Sequence, residues 1–308
     1  MPFFSVIIPL YNKESFIEDT IKSVLKQTFT DFELIIVNDG SIDQSAEKAQ
    51  AFTDSRIRYF SKTNEGVSVA RNFGIDIAQA DYISFLDADD YWYPDFLATM
   101  KNNISAFPGH RVFSAAIEIE TALNTFPAQY TIPKTTECIE VDFFEASSKE
   151  CVIWTSCAVF HKSVFEKAGR FDPKLKSVQD TDLWIRIGLL YPVIFCWKIL
   201  ARYVFDAGSL SKESKYITEK LHFEDFAAAE KSHSGLKKFL DLNRYSLAIK
   251  SKLKGDMMEF KSFADDIDRN GLPLKKRILL SLPGFLLKKL ILLQVYLADK
   301  GLGSSVFK

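Results

Sequence analysis

Residues 82–90 read YISFLDADD, an aromatic and β-branched run closed by three carboxylates in four positions, Asp87, Asp89 and Asp90. A short apolar run bounded by charge predicts a buried strand over 82–86 whose C-terminal end delivers acids to a sheet edge. Carboxylates this close repel one another, so they stay in water or share a cation. A hard divalent ion such as Mg²⁺ or Mn²⁺ takes a couple of carboxylates together with phosphate oxygens, so a metal and diphosphate site is one reading. The plainer reading is a helix start, with Asp89 or Asp90 capping a helix that begins near Pro94.

Upstream of this junction, 5–9 (SVIIP) and 33–37 (ELIIV) are continuous β-branched runs, and 56–60 (RIRYF) is a more alternating one. Helical apolar spacing lies between them at 15–27, 45–52 and 67–78. Strand and helix alternate up to the acids, which predicts βαβ units with right-handed crossovers and a doubly wound, mainly parallel sheet of the α/β class. Ligands of such sheets bind beyond the carboxyl ends of the strands, and the polar residues fall there. They are Tyr11, Asn12 and Lys13 after the first strand, Asn38-Asp39-Gly40-Ser41 after the second, Asn64-Glu65-Gly66 and then Arg71 after the third, and the acids after the fourth. Asp39 can accept the imide N–H of a uracil, Gly40 permits close backbone approach, and Arg71 offers a fork of donors for carboxylate or diphosphate. Residues 38–41 also make a good turn and helix cap, and Arg71 could simply pair with Asp76 or Asp81.

The ordered series SVIIPLYN (5–12), ELIIVNDGSID (33–43), NEGVSVARNFGI (64–75), YISFLDADD (82–90) with Pro94-Asp95, and GRFDPKL followed by QDTDLWIRI between 169 and 187 resembles the family 2 glycosyltransferases over roughly the first 205 residues. The resemblance implies a GT-A domain that binds a nucleotide-sugar donor, UDP-linked above all, with Mn²⁺ or Mg²⁺ as cofactor. Pro9, Tyr11, Asn12, Gly40 and Arg71 then line the nucleotide. Asp39 reads the base, Asp87 lies by the ribose and Asp89 ligates the metal. The catalytic base maps to Asp180, preceded by Gln179 where the family often has Glu.

Transfer from a sugar diphosphate needs a charge sink for the departing diphosphate, which a metal at Asp89 would provide. It also needs one carboxylate on the opposite face to take the proton of the attacking hydroxyl, and direct displacement inverts the anomeric centre. Residues 179–184 (QDTDLW) predict a helix start that places Asp180 in a first turn, where the helix dipole favours its ionised form. An ordinary N-cap is its alternative role, and Asp182 is the competing base. Residues 111–120 predict a strand, 121–140 show little periodicity around Pro127 and Pro133, and 152–160 (VIWTSCAVF) predict another strand. On that strand Trp154, with Thr155 and Ser156, would face the acceptor, although a Trp in an apolar run also serves as core.

With 308 residues, 47% of them hydrophobic, the chain can bury one core of about 200 residues and leave a second unit. The division is expected at 1–207 for the catalytic domain and 208–308 for a helical region, with amphipathic stretches at 215–232 and 235–262. Four cysteines without Cys-x-x-Cys spacing read as reduced core residues, the near-zero charge argues against a nucleic-acid partner, and no signal peptide is expected ahead of the first strand. A cytoplasmic enzyme is expected. Residues 272–308 carry a net charge of +6 against −7 for the rest. Their apolar run is broken by Pro283-Gly284 and holds Lys288 and Lys289 mid-way, which would cost about 2.5–3.5 kcal/mol each at a bilayer centre. An interfacial helix on the inner membrane face avoids that cost, and a homodimer or domain-packing helix is the alternative. The reading is a transferase acting on a glycan or lipid-linked acceptor in cell-surface polysaccharide synthesis, against a non-catalytic binding or scaffold protein on a GT-A frame.

Overall fold

The computed structural model describes residues 1–121, 124–204 and 221–290, and the chain divides into two units, 1–221 and 222–308. The boundary expected at 207/208 lies outside the described residues.

The first unit opens with the predicted alternation: β1 (Phe4–Leu10), α1 (Ile17–Leu25), β2 (Phe32–Asp39), α2 (Ser45–Gln50), β3 (Ile57–Lys62), α3 (Val67–Ile77) and β4 (Tyr82–Phe85). These strands pair in parallel in the order β3-β2-β1-β4. Every residue of β1 and β2 is buried, which is why both read as unbroken apolar runs. α3 lies so close to β1 that a Cβ at Gly74 would come within 2.5 Å of Ile7 Cγ2, so only glycine fits there.

Beyond β4 the sheet becomes mixed. β5 (Tyr91–Trp92), α4 (Phe96–Ala106), β6 (Val112–Glu120), β7 (Thr125–Pro127), β8 (Cys138–Val141), α5 (Phe143–Ala146), β9 (Ala158–His161), α6 (Ser163–Lys167), α7 (Gln179–Gly188) and β10 (Val193–Val204) follow. The full order is β3-β2-β1-β4-β9-β6-β10-β5, with β7 on β6 and β8 on β10. β9 runs antiparallel between β4 and β6. It is shorter than the strand expected over 152–160, because Thr155–Cys157 form a 3₁₀ turn before it. The expected irregularity of 121–140 is relieved by the short β7 and β8 at its ends. α4 starts at Phe96 with Asp95, not Asp89 or Asp90, at its N-cap, so the acids are not that helix's cap.

The second unit comprises α8 (Ala227–Ser232), α9 (Ser234–Lys254), α10 (Met257–Asp265) and α11 (Leu274–Ser281) around Ala248, Ile249, Phe263, Ile267, Leu272, Leu280 and Leu287. The amphipathic run expected over 235–262 is broken at Gly255, which takes φ +88° and lets Asp256 cap α10 through Glu259 N. Arg244 makes a two-point contact with Glu230 and also reaches Asp241, which Lys237 pairs at 2.8 Å.

Candidate active site

The carboxyl ends of β1 and β4 flank the point where the strand order reverses, and the acidic turn sits there. Its backbone is pinned from two sides. Thr20 Oγ1 of α1 donates to Ala88 O and Asp90 O, and Ser156 Oγ accepts from Asp87 N at 3.1 Å while donating to the Asp90 carboxylate. Asp90 also accepts from Val204 N at 3.0 Å and is 3% exposed. Burial, then the charges of Asp89 and Asp87, push its carboxyl well above the usual range. Asp90 is therefore the internal anchor of the turn.

Asp87 and Asp89 meet cations instead. Arg71 Nη2 donates to Asp87 Oδ1 at 2.6 Å, and the guanidinium lies 5.1 Å from the centre of the Phe171 ring. Neither Asp76 nor Asp81 takes Arg71, since they pair with Arg170 and Lys162. Lys13 Nζ lies 2.6 Å from Asp89 Oδ2. Burial raises the Asp89 carboxyl's pKa, Lys13 opposes that, and Asp87 adds to it.

Asp39 ends β2, 3% exposed, and accepts from Lys62 Nζ at 2.6 Å, Glu65 N and Gly66 N. It thereby fixes the loop that starts α3 while keeping acceptor capacity. Gly40, at φ +73°, lies where a Cβ would meet Asn64 N at 2.8 Å. Asn12 takes the left-handed φ of 50° and its Oδ1 accepts from Ile42 N, joining the loops after β1 and β2. Pro9 is buried in β1 and Tyr11 is 42% exposed at its end.

Asp180 lies in the first turn of α7, and Val178 is the N-cap. Its Oδ1 accepts from Thr181 N at 2.7 Å. Burial raises its pKa above the ordinary carboxylate value, Arg71 counteracts this, and Asp87 reinforces it. The start of α7 is thus electrostatically joined to the acidic turn through Arg71. Asn72 donates to Phe171 O at 2.8 Å and accepts from Phe171 N, clamping Phe171 onto α3. Asp182 faces elsewhere, held at 2.6 Å by Arg186, whose guanidinium also donates to Ala168 O and Arg170 O. Trp154 is half-buried, packed against the core and tilted over Tyr203 with ring centres 5.2 Å apart.

Sequence reasoning missed three of these roles. Lys13 carries a signal, a cation directly after Tyr11-Asn12 at a strand end, but Ser156 as the brace of the turn and Asn72 as the clamp depend on contacts across 69 and 99 residues. A hard divalent cation suits the oxygen donors of Asp89 and its neighbour Asp87. Among the described residues no group of three or more His, Cys, Asp or Glu side chains could hold an ion, so such a cation would need phosphate oxygens to complete its shell.

The sequence profile described as Glycosyl transferase family 2 matches residues 5–169. The "uncharacterized glycosyltransferase EpsJ" of Bacillus subtilis is 50% identical over 93 residues, covering 30% of this chain and 27% of that protein. A Rickettsia conorii relative, RC0461, is 37% identical over 179 residues (50% and 30%), and one from Rickettsia typhi, RT0329, is 29% identical over 205 (65% and 63%). The matched stretches thus span 27–63% of these three relatives' own length. Among solved structures, S. aureus TarS 1–349 in complex with UDP-GlcNAc aligns with a TM-score of 0.60 at 19% identity, covering 90% of this chain and 79% of that one. That likeness is one of fold.

Proposed function

The chain belongs to glycosyl transferase family 2, and on that premise we propose that it moves a sugar from a UDP-sugar to a hydroxyl of a glycan or lipid-linked acceptor with inversion at the anomeric carbon. The observation that carries the reading is the convergence of Asp87, Asp89, Arg71 and Asp180 where the strand order reverses, with Asp39 at the neighbouring strand end. A fold neighbour solved with UDP-GlcNAc accords with the choice of nucleotide.

In this reading Asp39 accepts the imide N–H of the base, Gly40 admits the nucleotide against the backbone, and Pro9, Tyr11 and Asn12 line its other side. Asp87, oriented by Arg71, faces the ribose. Asp89 would hold Mn²⁺ or Mg²⁺, which when bound supplies positive charge to the leaving diphosphate. Asp180 takes the proton of the acceptor hydroxyl as its oxygen attacks the anomeric carbon and the bond to the diphosphate breaks. The raised pKa of Asp180 suits that task, because a stronger base removes the proton with more driving force provided that it is ionised at the working pH. Asp182 is committed to Arg186 and so favours Asp180 as the base. Trp154 lines the acceptor side.

Calorimetry of UDP with and without Mn²⁺ tests the donor site. Binding should require the metal and weaken on chelation, and Asp89→Asn should lose most of the affinity that the metal adds. Unchanged affinity and metal dependence in this variant would overturn the assignment.

We also propose that the second unit docks on anionic lipid. Leu274, Ile278, Phe285, Leu286 and Leu290 are exposed among Lys275, Lys276, Arg277, Lys288 and Lys289, with no acid between 272 and 290. No helix among the described residues is long and apolar enough to cross a membrane. Full-length protein should float with anionic but not neutral liposomes. Self-association through this segment without flotation would favour the dimer-packing alternative.

A further inference from the structure

We propose that Lys13 is the resident counter-cation of the donor site: its ammonium holds Asp89 until a divalent metal takes that carboxylate, and then turns to the incoming diphosphate. The proposal rests on the nucleotide-sugar reading above and adds a residue and a coupling to it.

The placement is the first argument. Lys13 follows β1 and Asp89 follows β4, so their 2.6 Å contact spans the two strand ends between which the sheet's ligand crevice opens. Burial is the second. The side chains are only 18% and 13% exposed, so their attraction is less screened than in a solvated surface bridge, and removing one partner leaves an uncompensated charge.

The third argument is how the acids differ in their partners. Asp90 is satisfied by Ser156 and a backbone amide, and Asp87 is met by the planar guanidinium of the nearly buried Arg71. Among the described residues, Asp89 alone of the three is matched by an ammonium on a flexible four-carbon stem. The base of that stem is fixed: Lys13 N donates to Ser45 Oγ at 2.7 Å, and Lys13 O accepts from Phe16 N and Ile17 N at the start of α1. Its tip can therefore exchange partners without moving the backbone, and a lysine head is a compact point charge suited to phosphate.

A metal arriving alone must expel the ammonium from Asp89 and leave it beside a second cation. A metal arriving with a diphosphate brings negative charge that offsets the repulsion between the two cations. Lys13 thus makes metal and nucleotide bind cooperatively, and suppresses capture of the bare ion.

The test is Mn²⁺ titration of the full chain followed by electron paramagnetic resonance of free Mn²⁺, with and without UDP. Wild type is compared with Lys13→Met, and with Lys13→Gln in case the methionine variant does not fold. Loss of the competing charge should tighten binding of Mn²⁺ alone by about tenfold or more, and should shrink the factor by which UDP improves it by a similar amount. Mn²⁺ and UDP affinities in the variants equal to wild type would overturn the proposal while leaving the donor reading intact. Failure of the wild-type protein to bind UDP in either condition would overturn both.

Discussion

The acidic turn of the first unit and the Glu230–Arg244–Asp241–Lys237 cluster of the second are both buried and charged, but they are balanced differently. In the helical unit each carboxylate has a cation within about a hydrogen bond's length, and the pairing outweighs burial: Glu230 titrates below its ordinary value. At the acidic turn and the adjoining start of α7, burial and like charge outweigh the pull of Lys13 on Asp89 and of Arg71 on Asp180, so Asp89, Asp90 and Asp180 all titrate above theirs. A structural cluster closes its charges. A site keeps some of them costly, because a ligand or a proton is to complete the account.

The largest effect that would break this contrast is catalytic. Asp180→Asn should leave UDP binding nearly intact and lower turnover by a factor of about 10² to 10⁴, since only the transition state needs the proton acceptor. If Asp182→Asn abolishes transfer and Asp180→Asn does not, the costly carboxylate is not the working one. In wild type the acid limb of turnover should lie above the range of an ordinary carboxylate, in the direction in which burial moves Asp180.

The structural cluster should fail in stability instead. Arg244→Met leaves Lys237 to balance both Glu230 and Asp241 and should cost up to about 3–5 kcal/mol. All four tryptophans, Trp92, Trp154, Trp184 and Trp197, lie in the first unit. Loss of helical circular dichroism should therefore move to lower denaturant while the tryptophan fluorescence transition keeps its midpoint. Coincident movement of both signals would show that the cluster is not confined to its own unit in its effect.

The contrast also marks what was legible from residues alone. β1, β2 and β4 announce themselves because strands buried on both faces read as unbroken apolar runs, and the loops that follow them carry the proposed nucleotide-binding residues in order. The far half of the sheet does not. β9 inserts antiparallel between β4 and β6 from 74 residues downstream of its partner Ser84, and no local pattern encodes that neighbour. The same limit separates Asp180, visible as an acid at a helix start, from its environment. Arg71 and Asp87 approach it through tertiary packing, to which the Asn72–Phe171 contact contributes. The type of residue was readable and its electrostatic state was not.

The smallest effect sharpens the contrast most directly, because it sets the sign of a stability change against the sign of an activity change. A carboxyl whose pKa is raised in the folded protein binds its proton more readily there than in the unfolded chain. Folding stability then rises as pH falls from the folded value towards the unfolded one, and a tenfold separation of the two proton affinities is worth about 1.4 kcal/mol. Asp180 is such a group, so above that window its charge is a net burden on the fold. Asp180→Asn should accordingly be more stable than wild type near about pH 7, with the gap closing as pH falls towards the ordinary carboxylate range. Glu230 titrates low and has the opposite sign: its contribution is present near about pH 7 and is lost as pH falls through its lowered value, so Glu230→Gln should be less stable there. Urea unfolding of the three proteins across this range, read by tryptophan fluorescence for Asp180 and by circular dichroism for Glu230, measures both. An Asp180→Asn protein that is less stable than wild type at neutral pH would mean that Arg71 gains more from this carboxylate than burial costs it, and that the site is as closed as the helical cluster.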